Sequence, residues 1–203
     1  MQGNKRCIGL AIALGILLAA CGGGGGGGTT TPPAPPPAGA MSAAELQLAM
    51  DALTAINNHR VSNGLTPYVW YALGADVAYA HCVRMDAGAF FAHVDPGTNT
   101  DPATRALNAG ITHAPQGSID PHSGNPFVGE NIASATGTPS VTYTGQEAVT
   151  SWIGSPGHHT QLVAPLTVPG AQVMPAWTHC GIGVRQTTTQ IWYTAMFFRM
   201  PTP

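Results

Sequence analysis

Three short clusters in the 203-residue chain carry groups able to ligate a metal, move a proton or hold a polar ligand. Phe90-Phe91-Ala92-His93 sets an imidazole beside two aromatic rings. Gly129-Glu130-Asn131-Ile132-Ala133 sets a carboxylate after a glycine. Trp152-Ile153-Gly154-Ser155-Pro156-Gly157-His158 ends on a second imidazole. A neutral imidazole can serve as a metal ligand or a general base, and a carboxylate can orient a ring N–H or accept backbone N–H groups. Each cluster falls at a predicted element boundary, where binding residues concentrate. Taken singly, each also has an ordinary explanation. A histidine beside aromatics is usually packed or at the surface, and a glutamate in a Gly-Glu-Asn turn is usually exposed or bonded to backbone. The residue types alone leave both readings open.

The elements that must position these groups follow from periodicity and breakers. Ser42 with Glu45 forms a capping box. Leu46, Met50, Leu53 and Ile56 then recur at three- and four-residue spacing, predicting an amphipathic helix over 43–62 that ends near Gly64. A short connection from Pro67 contains Trp70. Leu73, Val77, Ala78, Cys82 and Met85 mark a second helix stopping near Gly88, and Asp101-Pro102 caps a third over about 102–109. Residues 111–128, with several Pro and Gly, read as a long loop. A fourth helix spans Glu147 to Trp152 and breaks at Pro156-Gly157. Residues 181–184 and 191–197 read as two strands joined by a Thr187-Thr188-Thr189 hairpin loop. Helices first and strands later give an α+β pattern in layers.

The N-terminus is of another kind. Lys5 and Arg6 precede an apolar stretch from Cys7 to Ala20. That stretch falls short of the roughly 20 apolar residues a spanning helix needs and has the form of a secretory signal. Leu18-Ala19-Ala20-Cys21 resembles the lipobox of bacterial lipoproteins. The resemblance implies cleavage after residue 20, acylation of Cys21 and membrane anchoring by buried acyl chains. Gly22, where inner-membrane retention usually shows Asp, directs the expectation to the outer membrane if the organism has one. Residues 22–37, a Gly run, three Thr and a Pro-rich stretch, cannot bury a core. They form a tether able to hold a domain roughly 25–50 Å away. The expected organisation is a signal over 1–20, a lipidated tether over 21–40 and one domain over 41–203.

Losing Lys5 and Arg6 from the seven basic residues leaves five, all Arg, against nine acids. Nucleic-acid binding wants a basic face, and this mature chain has none. Of four cysteines, Cys7 leaves with the signal and Cys21 carries lipid. Cys82 and Cys180 remain in an oxidising compartment, where an even pair suggests a disulfide and two buried free thiols are the alternative.

In order along the chain, the motifs resemble the CAP superfamily, also called SCP: cysteine-rich secretory proteins, antigen 5 and plant pathogenesis-related 1 proteins. The resemblance covers 45–199 and is strongest to bacterial single-domain members. It starts at Asn58-His59-Arg60 and Gly64-Leu65-Thr66-Pro67 with Trp70, and continues through Ala80-His81-Cys82-Val83-Arg84-Met85 and Phe91-Ala92-His93. Arg105-Ala106, Gly129-Glu130-Asn131-Ile132-Ala133 and Ser155-Pro156-Gly157-His158 follow. Cys180-Gly181-Ile182-Gly183-Val184 with Trp192-Tyr193 closes it.

The resemblance implies an α-β-α sandwich with a small antiparallel sheet. It also implies a cleft whose two-His, two-Glu tetrad maps to His93, Glu130 and His158. The second Glu position holds Ser155, and Glu147 is the nearest acid in sequence. Zinc or another divalent cation is the implied cofactor, held by His93 and His158. The partners expected are a membrane through Cys21 and an unidentified small-molecule, lipid or protein ligand, with the domain itself a monomer. The favoured expectation is a tethered extracytoplasmic binding module. The alternative is a metal-assisted or Ser/His hydrolase using Ser155 or a bound water as nucleophile, with His158 or His93 as base.

Overall fold

Ser42 opens the first helix in a computed structural model that describes residues 41–111, 128–138, 140–171 and 176–200. Its side chain accepts from the Glu45 N–H while the Glu45 carboxylate accepts from the Ser42 N–H, as the capping box predicts. Buried Glu45 also accepts from the Gln186 N–H at 2.9 Å, fixing the helix start to the end of a strand. The helices are α1 (Ala43–Ser62), α2 (Ala72–Gly88), α3 (Pro102–Asn108), α4 (Gly145–Ile153) and α5 (Pro156–Val163). The strands are β1 (Val69–Trp70), β2 (Val128–Thr136), β3 (His179–Gln186) and β4 (Gln190–Phe198). Among the described residues no helix is long and apolar enough to cross a membrane. The signal, Cys21 and the tether lie outside the described residues, as do His113 and His122.

The sheet order is β1-β3-β4-β2. β3 and β4 form the expected hairpin, β2 pairs antiparallel with β4, and β1 pairs parallel with β3, so the sheet is mixed rather than wholly antiparallel. Successive strand side chains point to opposite faces, which assigns the layers. Ile191, Tyr193, Ala195 and Phe197 pack in the large cluster with α1 and α4, while Met196 and Phe198 pack with Val77, Ala103 and Ala106 of α2 and α3. The architecture is the expected α-β-α sandwich.

The fourth helix ends before Pro156-Gly157, as expected, and Pro156 then begins a further helix, α5, where its missing N–H costs nothing. One expectation is corrected here. The Gly-Glu-Asn cluster is not a turn but the start of β2, paired with β4 from Val128↔Phe198 to Thr136↔Gln190. Its polar residues disguised a strand that is buried over its first six positions.

The Cys82–Cys180 bridge is also corrected, because both thiols are free and buried. Cys180, Ile182 and Val184 face the α1 side of the sheet, whereas Cys82 lies on α2 against the other face. The sheet stands between them. Cys82 Sγ donates to the Thr194 hydroxyl at 3.2 Å or the Gly183 carbonyl at 3.4 Å. Burial pushes the Cys82 thiol up to about 12 and raises Cys180 as well, so both are unreactive in the folded state. Mature protein unfolded without reductant should therefore show both Cys82 and Cys180 labelled by a thiol reagent. Protection of both until reductant is added would restore the bridge.

Candidate functional site

Helix α2 ends at Ala89, which adopts the left-handed conformation (φ 49°), and the Phe90 N–H closes on Met85 O. That turn brings Phe91-Ala92-His93 back over the sheet. His93 Nδ1–H donates to Glu130 Oε1 at 2.9 Å. Glu130 sits on the same β2 face as Val128 and Ile132, and is 1 % exposed. Its other oxygen accepts from Arg105 Nη2 at 2.5 Å. Arg105 Nη1 also donates to the carbonyls of His93 (2.8 Å) and Thr100 (3.0 Å), so one guanidinium ties α3, the His93 loop and the edge strand together.

His158 reaches the group from α5, on the far side of the edge strand. Asn131, which points to that side, donates to the His158 carbonyl at 3.0 Å. The His93 and His158 rings lie 6.4 Å apart between centroids. The structure thus brings together the three residues selected from sequence, wrapped around β2. Burial alone would push the Glu130 carboxyl up. The Arg105 charge and the His93 bond outweigh it and hold the group below the usual carboxylate range.

The zinc expectation can be tested on this geometry. Two imidazoles sharing one ion at 2.0–2.1 Å, with an angle of about 90–110° between them, have ring centroids about 4.5–5.2 Å apart. The observed 6.4 Å lies outside that range. Both oxygens of Glu130 are engaged, and among the described residues no group of three His, Cys, Asp or Glu side chains converges. As placed, His93 and His158 do not close on one tetrahedral zinc ion.

The accessory residues stand apart. Glu147 is the N3 acid of a second capping box, its carboxylate accepting from the Thr144 N–H and hydroxyl at the exposed start of α4. Ser155 is the N-cap of α5, and its hydroxyl makes no cap bond. The motif's asparagine is also relocated: Asn57, not Asn58, exchanges two hydrogen bonds with the Tyr68 backbone, at 3.0 and 2.7 Å.

Sequence reasoning gave Arg105 no role, yet it is the hub. It also lines a pocket of about 470 Å³ between α2 and α3, whose apolar wall includes Leu73, Val77 and Ala80. Three lining residues carry buried polar atoms without a hydrogen-bond partner: Asp76 Oδ1, His81 Nδ1 and Arg105 Nε. His81 is fully buried and donates through Nε2 to the Ala92 carbonyl at 3.0 Å, which leaves Nδ1 an acceptor. Burial lowers its pKa, keeping the ring neutral.

The pocket's far rim is built by Asp95, which accepts from Arg84 Nε at 2.7 Å and from the Gly97 and Thr98 N–H groups at 2.8 and 3.3 Å. The Arg84 bond holds the Asp95 carboxyl well below its ordinary value, against the opposing effect of burial, with Gly97 adding to the lowering. A depressed folded pKa means stabilisation that is complete above the unfolded value of about 3.9 and is lost as pH falls below it. Denaturant titrations at pH 7 and pH 3 should therefore show Asp95→Asn losing less stability on acidification than the wild type. Equal losses would remove Asp95 from the acid response.

No protein-family model matches the sequence, and no curated protein matches it. Solved structures do. An extracellular protein containing an SCP domain from Bacillus anthracis is 22 % identical with a TM-score of 0.57, over 80 % of this chain and 45 % of that one. An outer surface protein from Borrelia burgdorferi is 13 % identical with a TM-score of 0.53, over 76 % and 94 %. A cysteine-rich secretory protein from Staphylococcus aureus is 12 % identical with a TM-score of 0.53, over 78 % and 40 %. The match spans under half the length of the Bacillus and Staphylococcus chains. In fold, this chain is similar to the SCP-domain protein of Bacillus anthracis.

Proposed function

We propose that the protein is an extracytoplasmic binding module, tethered to a membrane through Cys21, that takes a small amphipathic ligand beside the His93–Glu130–His158 cleft. The observation that carries this reading is the α2–α3 pocket. Its volume of about 470 Å³ falls within the roughly 300–1,000 Å³ of small-molecule sites. It pairs an apolar wall with an unpartnered donor on Arg105 and unpartnered acceptors on Asp76 and His81. A ligand with an apolar body and a hydroxylated or zwitterionic head would answer both. Arg105 connects that head to Glu130 and, through it, to His93. The extracellular and outer-surface settings of the similar structures support an extracytoplasmic location.

Glu147, spent on its own helix, lends nothing to the hydrolase alternative. The test is mass spectrometry of small molecules extracted from the protein purified from membranes, with bound metal measured in the same preparation. An amphipathic molecule should co-purify near one per chain and be lost in Ala80→Trp, which fills the pocket. Its retention in that variant, or its absence from the wild type, would refute the reading.

The anchor has its own test. Cys21→Ala should move the protein from the membrane to the soluble fraction, because several acyl chains are needed for stable attachment. Unchanged membrane fractionation would dismiss the lipobox reading.

A further inference from the structure

Away from the cleft, a second pair of histidines meets across 100 residues of sequence: His59 Nε2 and His159 Nε2 stand 2.9 Å apart. Their ring centroids are 5.0 Å apart with 49° between planes. Two imidazole nitrogens held by one ion at 2.0–2.1 Å, about 90–110° apart, are separated by about 2.9–3.4 Å, with ring centroids about 4.5–5.2 Å apart. Each distance lies in its range, as the cleft centroid distance does not. On a shared ion the 5.0 Å centroid distance goes with nitrogens about 3.2 Å apart, so the rings need only part by a few tenths of an ångström on binding. We propose that His59 and His159 form a surface site for a late divalent transition metal, taking Cu²⁺ in preference to Ni²⁺ and Zn²⁺.

The scaffold around the pair is rigid. His59 lies in the last turn of α1 and His159 in α5. The neighbour of His59, Arg60, donates through Nη1 to the carbonyls of Leu162 and Ala164 at the end of α5, at 2.7 and 3.1 Å. The two ligand-bearing helices are thereby clamped next to the ligands, and little freedom is lost on binding. His158 and His159 are consecutive, so they point about 100° apart around α5, one toward the cleft and the other toward α1. Both rings of the second pair are half-buried, which leaves coordination positions open to water. The Asn63 amide flanks His59 Nε2 at 3.5 Å.

Without metal, one Nε2–H donates to the other Nε2. On binding, the donor ring loses that proton from Nε2 and takes one on Nδ1, so both Nε2 lone pairs face the ion and no net proton is released. Two imidazole ligands place the site where affinity follows the divalent series and peaks at copper.

The full-length mature protein in detergent, stripped with EDTA, should bind one Cu²⁺ whose paramagnetic resonance spectrum shows two nitrogen ligands. His59→Gln and His159→Gln should each weaken binding about a hundredfold, because the second imidazole acts at high effective concentration. A mutation-free readout is mass-spectrometric mapping of imidazole acylation in the wild type, in which Zn²⁺ should protect His59 and His159 together. Undiminished copper binding in the double variant, loss only when His93 and His158 are replaced, or no protection of the pair would each overturn the site. None of these outcomes touches the amphipathic-ligand reading, which is scored by Ala80→Trp.

Discussion

Arg105→Ala should destabilise the domain by about 3–5 kcal/mol, the range for removing one partner of a buried ion pair. Glu130 is 1 % exposed and the Arg105 side chain 10 %, so neither has water to replace its partner. Truncation leaves the Glu130 carboxylate without its countercharge and takes one donor from each of the carbonyls of His93 and Thr100. The measurement is urea unfolding of wild type, Arg105→Ala, Glu130→Gln and the double variant. Glu130→Gln should restore a large part of the loss in the Arg105→Ala background, because the stranded charge is then gone. The cycle isolates the pairwise coupling. A loss below about 1 kcal/mol, as for an exposed pair, would mean that water reaches Glu130 and that the pair is not the structural centre of the site.

The same substitution should disturb α3 before the rest of the fold. At seven residues, α3 is too short to hold itself. It depends on Asp101, whose carboxylate accepts from the Thr104 N–H, and on the three bonds Arg105 sends outward. Hydrogen exchange in Arg105→Ala should accelerate first over Pro102–Asn108, and ligand retention should fall with it, since α3 walls the pocket.

Much of this was legible in the sequence where local chemistry and tertiary packing agree. The α1 boundaries follow from the Ser42–Glu45 box and from apolar spacing, and the β3–β4 hairpin follows from β-branched and aromatic runs around three threonines. Tertiary context decided the misreadings. β2 carries Glu130 and Asn131 inside a sheet, which propensity argues against, because Arg105 and His93 hold Glu130 on one face and the α5 backbone accepts from the Asn131 amide on the other. Pro156 reads as a breaker or as a first helical residue, and only the packing of α5 against α4 and α1 distinguishes the two. Pairing of the cysteines required knowing that β3 separates their faces. His93, Glu130 and His158 were selected on motif order along the chain, and the fold brings them near one another. Arg105 lay within a matched motif but carried no signal of its role, and His59 and His159, 100 residues apart, gave no local sign of their meeting.

The glycines of β3 set how closely α2 packs on the sheet. Gly183→Ala should cost about 3 kcal/mol, at the upper end for overpacking a dense core. A Cβ at Gly183 would fall inside contact distance of the Tyr79 nitrogen and the Ala78 carbonyl carbon. At Gly181 it would strike the Ala75 nitrogen and the Gly74 backbone in the same way. These obstacles are backbone atoms, so no rotamer change relieves them, and α2 must lift from the sheet. Gly74, Ala75 and Ala78 supply the matching small face on the helix, which is why α2 sits close enough for Cys82 to bond across to Gly183 and Thr194. Lifting α2 also moves His81 and the pocket wall. Thermal unfolding of Gly183→Ala should show a fall of about 6–12 °C, scaling from ΔΔG for a domain of this size. The exposed control Gly157→Ala, where a Cβ meets nothing within 4 Å, should stay near wild type. Equal midpoints for the two variants would mean that α2 does not rest on the bare backbone of β3.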